Sequence, residues 1–205
     1  AAERIVGLLP KLRAIAMLRN PVDRTLSAFS DRHPLGYLKL PGSGRERLEP
    51  TLRGLLARLG SSGNGSNAID WEDRDLRLVT NGIYLHGLRH WASLGAPLLL
   101  VRMEDLLARP GDEMARVQNF LGLSRALPPS ALATHYNQKE GHTMVREQPT
   151  AALRRLLGCF FAPHNEALYA WAARRGTPLK PWPSEPLAEN ATACRALLAS
   201  VRSGQ

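Results

Sequence analysis

The chain has 205 residues, 44% of them apolar and 22% charged, which supplies a folded core and excludes a disordered or fibrous polypeptide. No apolar run approaches the roughly 18 residues that a bilayer-spanning helix needs. The net charge of +9 points to an anionic partner, whether nucleotide, nucleic acid, sulfated glycan or membrane surface, and an Arg-rich solvated surface is the simplest competing explanation.

Two cysteines, Cys159 and Cys194, are too few for a disulfide framework. Cys159 lies in an apolar helical run and reads as a small core residue, and whether the two pair stays open. Two sequons, Asn64-Gly65-Ser66 and Asn190-Ala191-Thr192, favour a secretory location. No signal peptide is visible, and the sequence starts at Ala1 without Met, so a preceding portion is expected.

In chain order, the first clear element is the run Ala14–Leu18 (AIAML), set between Lys11 and Arg13 on one side and Arg19-Asn20-Pro21 on the other. It reads as a buried strand. A helix follows: Asn20 suits its cap, Pro21 its first position, and Asp23 its N-terminal dipole. Val22, Leu26 and Phe29 make the inward stripe of that helix. Residues 41–68 hold Pro41-Gly42-Ser43-Gly44 and a later Gly/Ser run, read as a surface insertion, with a short amphipathic helix at about 47–59. One helix is expected over about 76–94, ended by Gly95 and Pro97. Residues 98–102 (LLLVR) read as a second buried strand, and 111–121 as a helix stopped by Gly122. Residues 128–150 are polar and irregular. Helices are expected at about 150–161 and 163–175, the second ended by Gly176 and Pro178, with a terminal helix at 191–201. Strands alternating with helices argue for a parallel α/β sheet.

The chemistry lies in Arg19-Asn20-Pro21-Val22-Asp23-Arg24-Thr25-Leu26-Ser27. Arg19 stands where a strand ends and a helix begins, and ligands of open parallel sheets bind at the carboxyl ends of strands. Its guanidinium offers a planar fork for a phosphate. Ser27 lies away from the Val22/Leu26/Phe29 stripe, so its hydroxyl is able to enter the same crevice. One fixed charge and one hydroxyl, eight residues apart across a strand–helix turn, form a plausible clamp for a phosphate monoester. His86 and His90, at i and i+4, form a two-ligand pair without an evident third, so no metal is expected.

This segment resembles the 3′-phosphate motif of sulfotransferases that use 3′-phosphoadenosine-5′-phosphosulfate: a strand, then Arg, Pro, a second Arg, and Ser. Gly82-Ile83-Tyr84, Trp91, residues 98–110 (LLLVRMEDLLARP) and Val117–Leu123 look like the region that follows it, and are most similar to the heparan sulfate glucosaminyl N- and 3-O-sulfotransferases. Phe160-Phe161-Ala162-Pro163-His164-Asn165, Leu168-Tyr169 and Trp182 resemble the late helix pair and domain end of those enzymes. The resemblance implies that Arg19 and Ser27 hold the cofactor's 3′-phosphate. Arg24 also matches the motif, and is read as a structural, ion-pairing residue of the helix. Arg146, from a shortened Lys-Gly-Arg-like loop, and Lys139, from an upstream Lys-containing loop, are further candidates for cofactor or glycan contact.

The implied fold is α/β: a three-layer P-loop-like parallel sheet flanked by helices, N-terminally incomplete, with a helix-rich C-terminal part. The domain would cover 1–183, with 184–205 as a tail able to form a helix. The family's 5′-phosphosulfate loop and usual catalytic Glu are expected upstream, so no catalytic residue is assigned. The implied activity is sulfuryl transfer to a hydroxyl or amine of a glycan, in the Golgi lumen or secretory pathway of a eukaryote or the cytoplasm of a bacterium. A glycan or other anionic acceptor is the expected partner, and a membrane only through a segment outside this sequence. The alternative is a non-catalytic nucleotide- or polyanion-binding relative. A nucleic-acid partner is not expected, because no helix-turn-helix, zinc or aromatic-platform signature accompanies the charge.

Overall fold

A computed structural model describes residues 2–9, 11–32, 48–61, 69–124, 128, 149–183 and 190–202. The elements in chain order are α1 (Ala2–Leu8), β1 (Ala14–Leu18), α2 (Pro21–Arg32), α3 (Leu48–Ser61), α4 (Arg77–Thr80), α5 (Tyr84–Ser93), β2 (Leu98–Arg102), α6 (Met103–Ala108), α7 (Pro110–Leu121), α8 (Ala151–Arg174) and α9 (Ala191–Arg202). They fall into two units. The first comprises Ala1–Arg19, Leu85–Met144 and Ala172–Leu179; the second comprises Asn20–Tyr84, Val145–Trp171 and Lys180–Gln205.

The first unit is built on a parallel pair. β1 and β2 run in register from Ala14 opposite Leu98 to Leu18 opposite Arg102. β2 is buried through Leu99, Leu100 and Val101. β1 departs from the expected buried strand: Ile15 and Met17 are 41% and 58% exposed, and only Leu18 is deeply covered. Successive strand residues point to opposite faces, so this alternation leaves one face of β1 open. The Arg13 guanidinium donates to the carbonyl of Phe120 and lies 5.9 Å from that ring's centroid, joining the start of β1 to the end of α7. Arg116 of α7 donates to the Leu100 carbonyl of β2 at 2.9 Å and to Glu113 at 2.6 Å. α7 stops where expected. Gly122 takes φ +74, its N–H meets the Asn119 carbonyl, and the Leu123 N–H meets that of Gln118. Only glycine enters that left-handed region without a Cβ penalty, and the paired bonds satisfy the last carbonyls of the helix.

The second unit holds the main apolar core. Val22 and Phe29 of α2, Leu52, Leu55 and Leu56 of α3, Leu78 and Val79 of α4, and Leu153, Leu156, Leu157 and Phe161 of α8 pack together. Leu197, Leu198 and Val201 of α9 pack against it, and α9 lies on α3. Trp182 is buried against Tyr84 and Tyr169, and its backbone N–H donates to the Tyr169 hydroxyl at 2.9 Å.

Three further features differ from the sequence-based expectation. The helix expected over 76–94 is broken: α4 ends at Thr80, and the chain turns through Asn81, Gly82 and Ile83 before α5. The turn is closely packed: a Cβ on Gly82 would sit 2.7 Å from Phe161 Cε1 and 3.1 Å from Pro21 Cβ. The helices expected at 150–161 and 163–175 are one, because α8 runs through Pro163. A mid-helix proline costs about 3 kcal/mol, and the core contacts of Leu153, Leu156, Leu157 and Phe161 on one side and buried Leu168 on the other offset it. Finally, Cys159 is more than a small core residue: it forms a disulfide with Cys194 of α9.

Candidate cofactor-binding elements

The two parallel strands end level with each other, Leu18 opposite Arg102. Arg19 follows directly and is half-buried. The neighbouring strand contributes a residue that sequence reasoning passed over. Arg102 is only 5% exposed, and its charge is answered within the unit by Asp105 at 3.2 Å and Glu104 at 4.0 Å. The available signal was an arginine closing an apolar run, followed at once by acids two and three residues on.

α2 starts as its sequence implies. The Asn20 side-chain oxygen accepts the Val22 N–H at 3.0 Å, and the Asn20 carbonyl accepts the Arg24 N–H at 2.8 Å. Asp23 pairs with Arg154 of α8 at 2.9 Å. The Arg24 guanidinium donates to the Leu78 carbonyl of α4 at 2.7 Å, so this second arginine of the motif is structural, with a backbone oxygen among its partners. Val22, Thr25 and Phe29 face inward, whereas Ser27 is half-buried on the helix flank. Anchoring of α2 to α4 and α8 thereby sets the position of the Ser27 hydroxyl. The hydroxyls of Thr25 and Thr80 are fully buried with no hydrogen-bond partner among the described residues, a feature that local sequence does not signal.

The chain passes from the first unit to the second between Arg19 and Asn20, so Arg19 belongs to one and Ser27 to the other. Each is placed within its own unit. Arg146 and Lys139 lie outside the described residues. His86 and His90 are exposed on α5, and among the described residues no group of three or more potential ligands is placed to hold a metal. Nor is any described helix long and apolar enough to cross a membrane.

Comparison with known proteins decides the family, for the sulfotransferase domain pattern matches residues 6–146. The chain belongs to the sulfotransferase domain family. Heparan sulfate glucosamine 3-O-sulfotransferase 6 of Homo sapiens is 29% identical over 161 residues, covering 77% of this chain and 41% of the relative, and the Mus musculus protein of that name gives the same figures. The bifunctional heparan sulfate N-deacetylase/N-sulfotransferase 3 of Mus musculus is 26% identical over 212 residues, covering 89% of this chain and 22% of the relative. This sulfotransferase chain thus spans well under half the length of these relatives. The family match includes both Arg19 and Ser27.

Proposed function

We propose that this chain is part of a sulfotransferase that moves a sulfuryl group from 3′-phosphoadenosine-5′-phosphosulfate to a hydroxyl or amine of a heparan-type glycan. One observation carries the reading: the family match over 6–146, which includes the Arg19–Ser27 segment, is accompanied by relatives whose names specify heparan sulfate sulfotransfer. The finer fold, a three-layer P-loop-like parallel sheet, belongs to the same proposal, with β1 and β2 as its adjacent strands.

The residues present fit the nucleotide end of such a donor. Arg19 brings a permanently charged planar fork at the carboxyl end of a parallel strand. Ser27 brings a hydroxyl on the partly exposed flank of a helix locked at its first turn. Together they would grip the 3′-phosphate, with Arg146 and Lys139 as further contacts to cofactor or glycan. The donor itself supplies the sulfuryl group, and binding energy from its far end orients it toward the acceptor. The Cys159–Cys194 disulfide and the two sequons support an oxidising secretory compartment such as the Golgi lumen.

The test is transfer by the full-length protein from labelled donor to N-desulfated and to N-sulfated heparan oligosaccharides. Label on a glycan, with release of adenosine 3′,5′-bisphosphate, is the expected result. Tight bisphosphate binding without transfer to any glycan would instead make the protein a nucleotide-binding relative.

A further inference from the structure

α5 carries a stripe that the proposed donor site does not use. His86, Arg89 and His90 are all exposed, while Leu85 and Leu88 of the same helix are buried. Residues at i, i+3 and i+4 are surface neighbours, with Cβ atoms about 5–6 Å apart. Ser93, one further turn along, is exposed and donates its hydroxyl to the His90 carbonyl at 2.8 Å. The face therefore presents two neighbouring imidazoles with a guanidinium beside them, within about 6 Å along the helix. No Asp or Glu occurs anywhere from residue 76 to residue 103, so α5 and the chain on either side of it bring no carboxylate to the stripe.

An i, i+4 histidine pair invites a metal, but here an arginine stands beside the pair, at i+3 from His86. A fixed cation there repels a metal ion and attracts an anion. Guanidinium forks match carboxylate and sulfate oxygens, and an imidazole N–H donates in either protonation state. Bases of a single-stranded nucleic acid would want exposed aromatic faces for stacking. The aromatic residues of α5, Tyr84 and Trp91, are half-buried instead, which favours a ligand recognised by its charge.

We infer that the His86–Arg89–His90 face of α5 docks the anionic glycan acceptor through its sulfate and carboxylate groups, separately from the Arg19–Ser27 elements. The choice of a glycan rests on the proposed function; the location of the anion-binding face rests on α5 alone.

The experiment titrates a fluorescent heparin octasaccharide into the full-length protein, its Arg89→Glu variant, and Arg195→Glu as a control of equal charge change on the exposed surface of α9. Matching thermal melts check that all three fold alike. Arg89→Glu is expected to weaken octasaccharide binding about tenfold near 0.1 M salt and to flatten its salt dependence, with Arg195→Glu within about twofold of the parent. Adenosine 3′,5′-bisphosphate should bind all three equally. Equal losses in the two variants, or no loss in Arg89→Glu, would overturn the docking face. If single-stranded DNA of matched charge binds as tightly and loses as much on Arg89→Glu, the glycan assignment fails. If no form binds the bisphosphate while octasaccharide affinity still depends on Arg89, the donor reading fails and the docking face stands.

Discussion

Cys159 of α8 and Cys194 of α9 are joined by a disulfide across 35 residues of chain, with their Cα atoms 5.1 Å apart. The bond holds α9 to the helix whose Leu153, Leu156, Leu157 and Phe161 supply the core of the second unit, while Leu197, Leu198 and Val201 close over that core. A loop of this length restricts the unfolded chain by about 4 kcal/mol in the chain-entropy treatment. The Cys159→Ala/Cys194→Ala double variant is therefore expected to lose about 2–4 kcal/mol in a urea melt. Reducing agent should lower the parent's midpoint and leave the double variant's unchanged.

Gly82 has no room for a side chain. A Cβ there would meet Phe161 ring atoms at 2.7 and 2.8 Å, and Phe161 is wholly buried, so the ring has nowhere to retreat. Gly82→Ala is expected to destabilise the protein by about 1–3 kcal/mol. Phe161→Leu should relieve part of that strain, making the double variant less destabilised than the sum of the two single changes. Strict additivity in that cycle would place the cost elsewhere.

Acid should act in two stages. His164 lies beside the Phe160 ring, with centroids 5.3 Å apart, and burial lowers its pKa from 6.5. The unfolded chain takes up that proton more readily than the folded one, so this contribution is lost as pH falls through 6.5 and below. Glu49 is lowered from 4.5, first by the Thr150 hydroxyl and then by Arg53. Asp73 is lowered from 3.8, first by the Leu76 backbone N–H. Their stabilisation is present above the unfolded carboxylate range and disappears as pH falls through their lowered folded values. Melting temperatures followed from pH 7 to pH 3 should fall in both windows. His164→Gln is expected to flatten the upper fall alone, and Thr150→Val to shrink the lower one.

Asn20 sets the start of α2 through its bond to the Val22 N–H. Replacing it with Ala should cost about 1 kcal/mol, measured by denaturant unfolding, while Asn20→Asp should recover most of it. An equal loss for both would mean that the side chain acts through packing rather than as a cap.

Much of this architecture was legible in the sequence because its signals are local. AIAML and LLLVR mark the two strands, Asn20-Pro21 opens α2, and Gly122 and Gly176 close α7 and α8, each by its own backbone chemistry. What was hidden depends on residues distant in the chain. The turn at Gly82 packs on Phe161, far along the chain, and α8 runs through Pro163 with buried residues on both sides of it. The short helix α6 and the burial of Arg102 depend on acids that follow an apparently finished strand. For the site, composition offered only positive charge. Arg19 and Ser27 stood out through their spacing across a strand–helix turn and through family resemblance, since a half-buried serine on a helix flank carries no local signal of its role.

The central claim is most directly tested by calorimetric titration of adenosine 3′,5′-bisphosphate into the full-length protein and its Arg19→Ala and Ser27→Ala variants. The expected result is a loss of about 2–5 kcal/mol for Arg19→Ala, as for truncation of one partner in a buried charged pair. Ser27→Ala should lose about 1–3 kcal/mol, the scale of a hydrogen bond to a charged group. Affinity unchanged in both variants would contradict the assignment of these two residues to the 3′-phosphate.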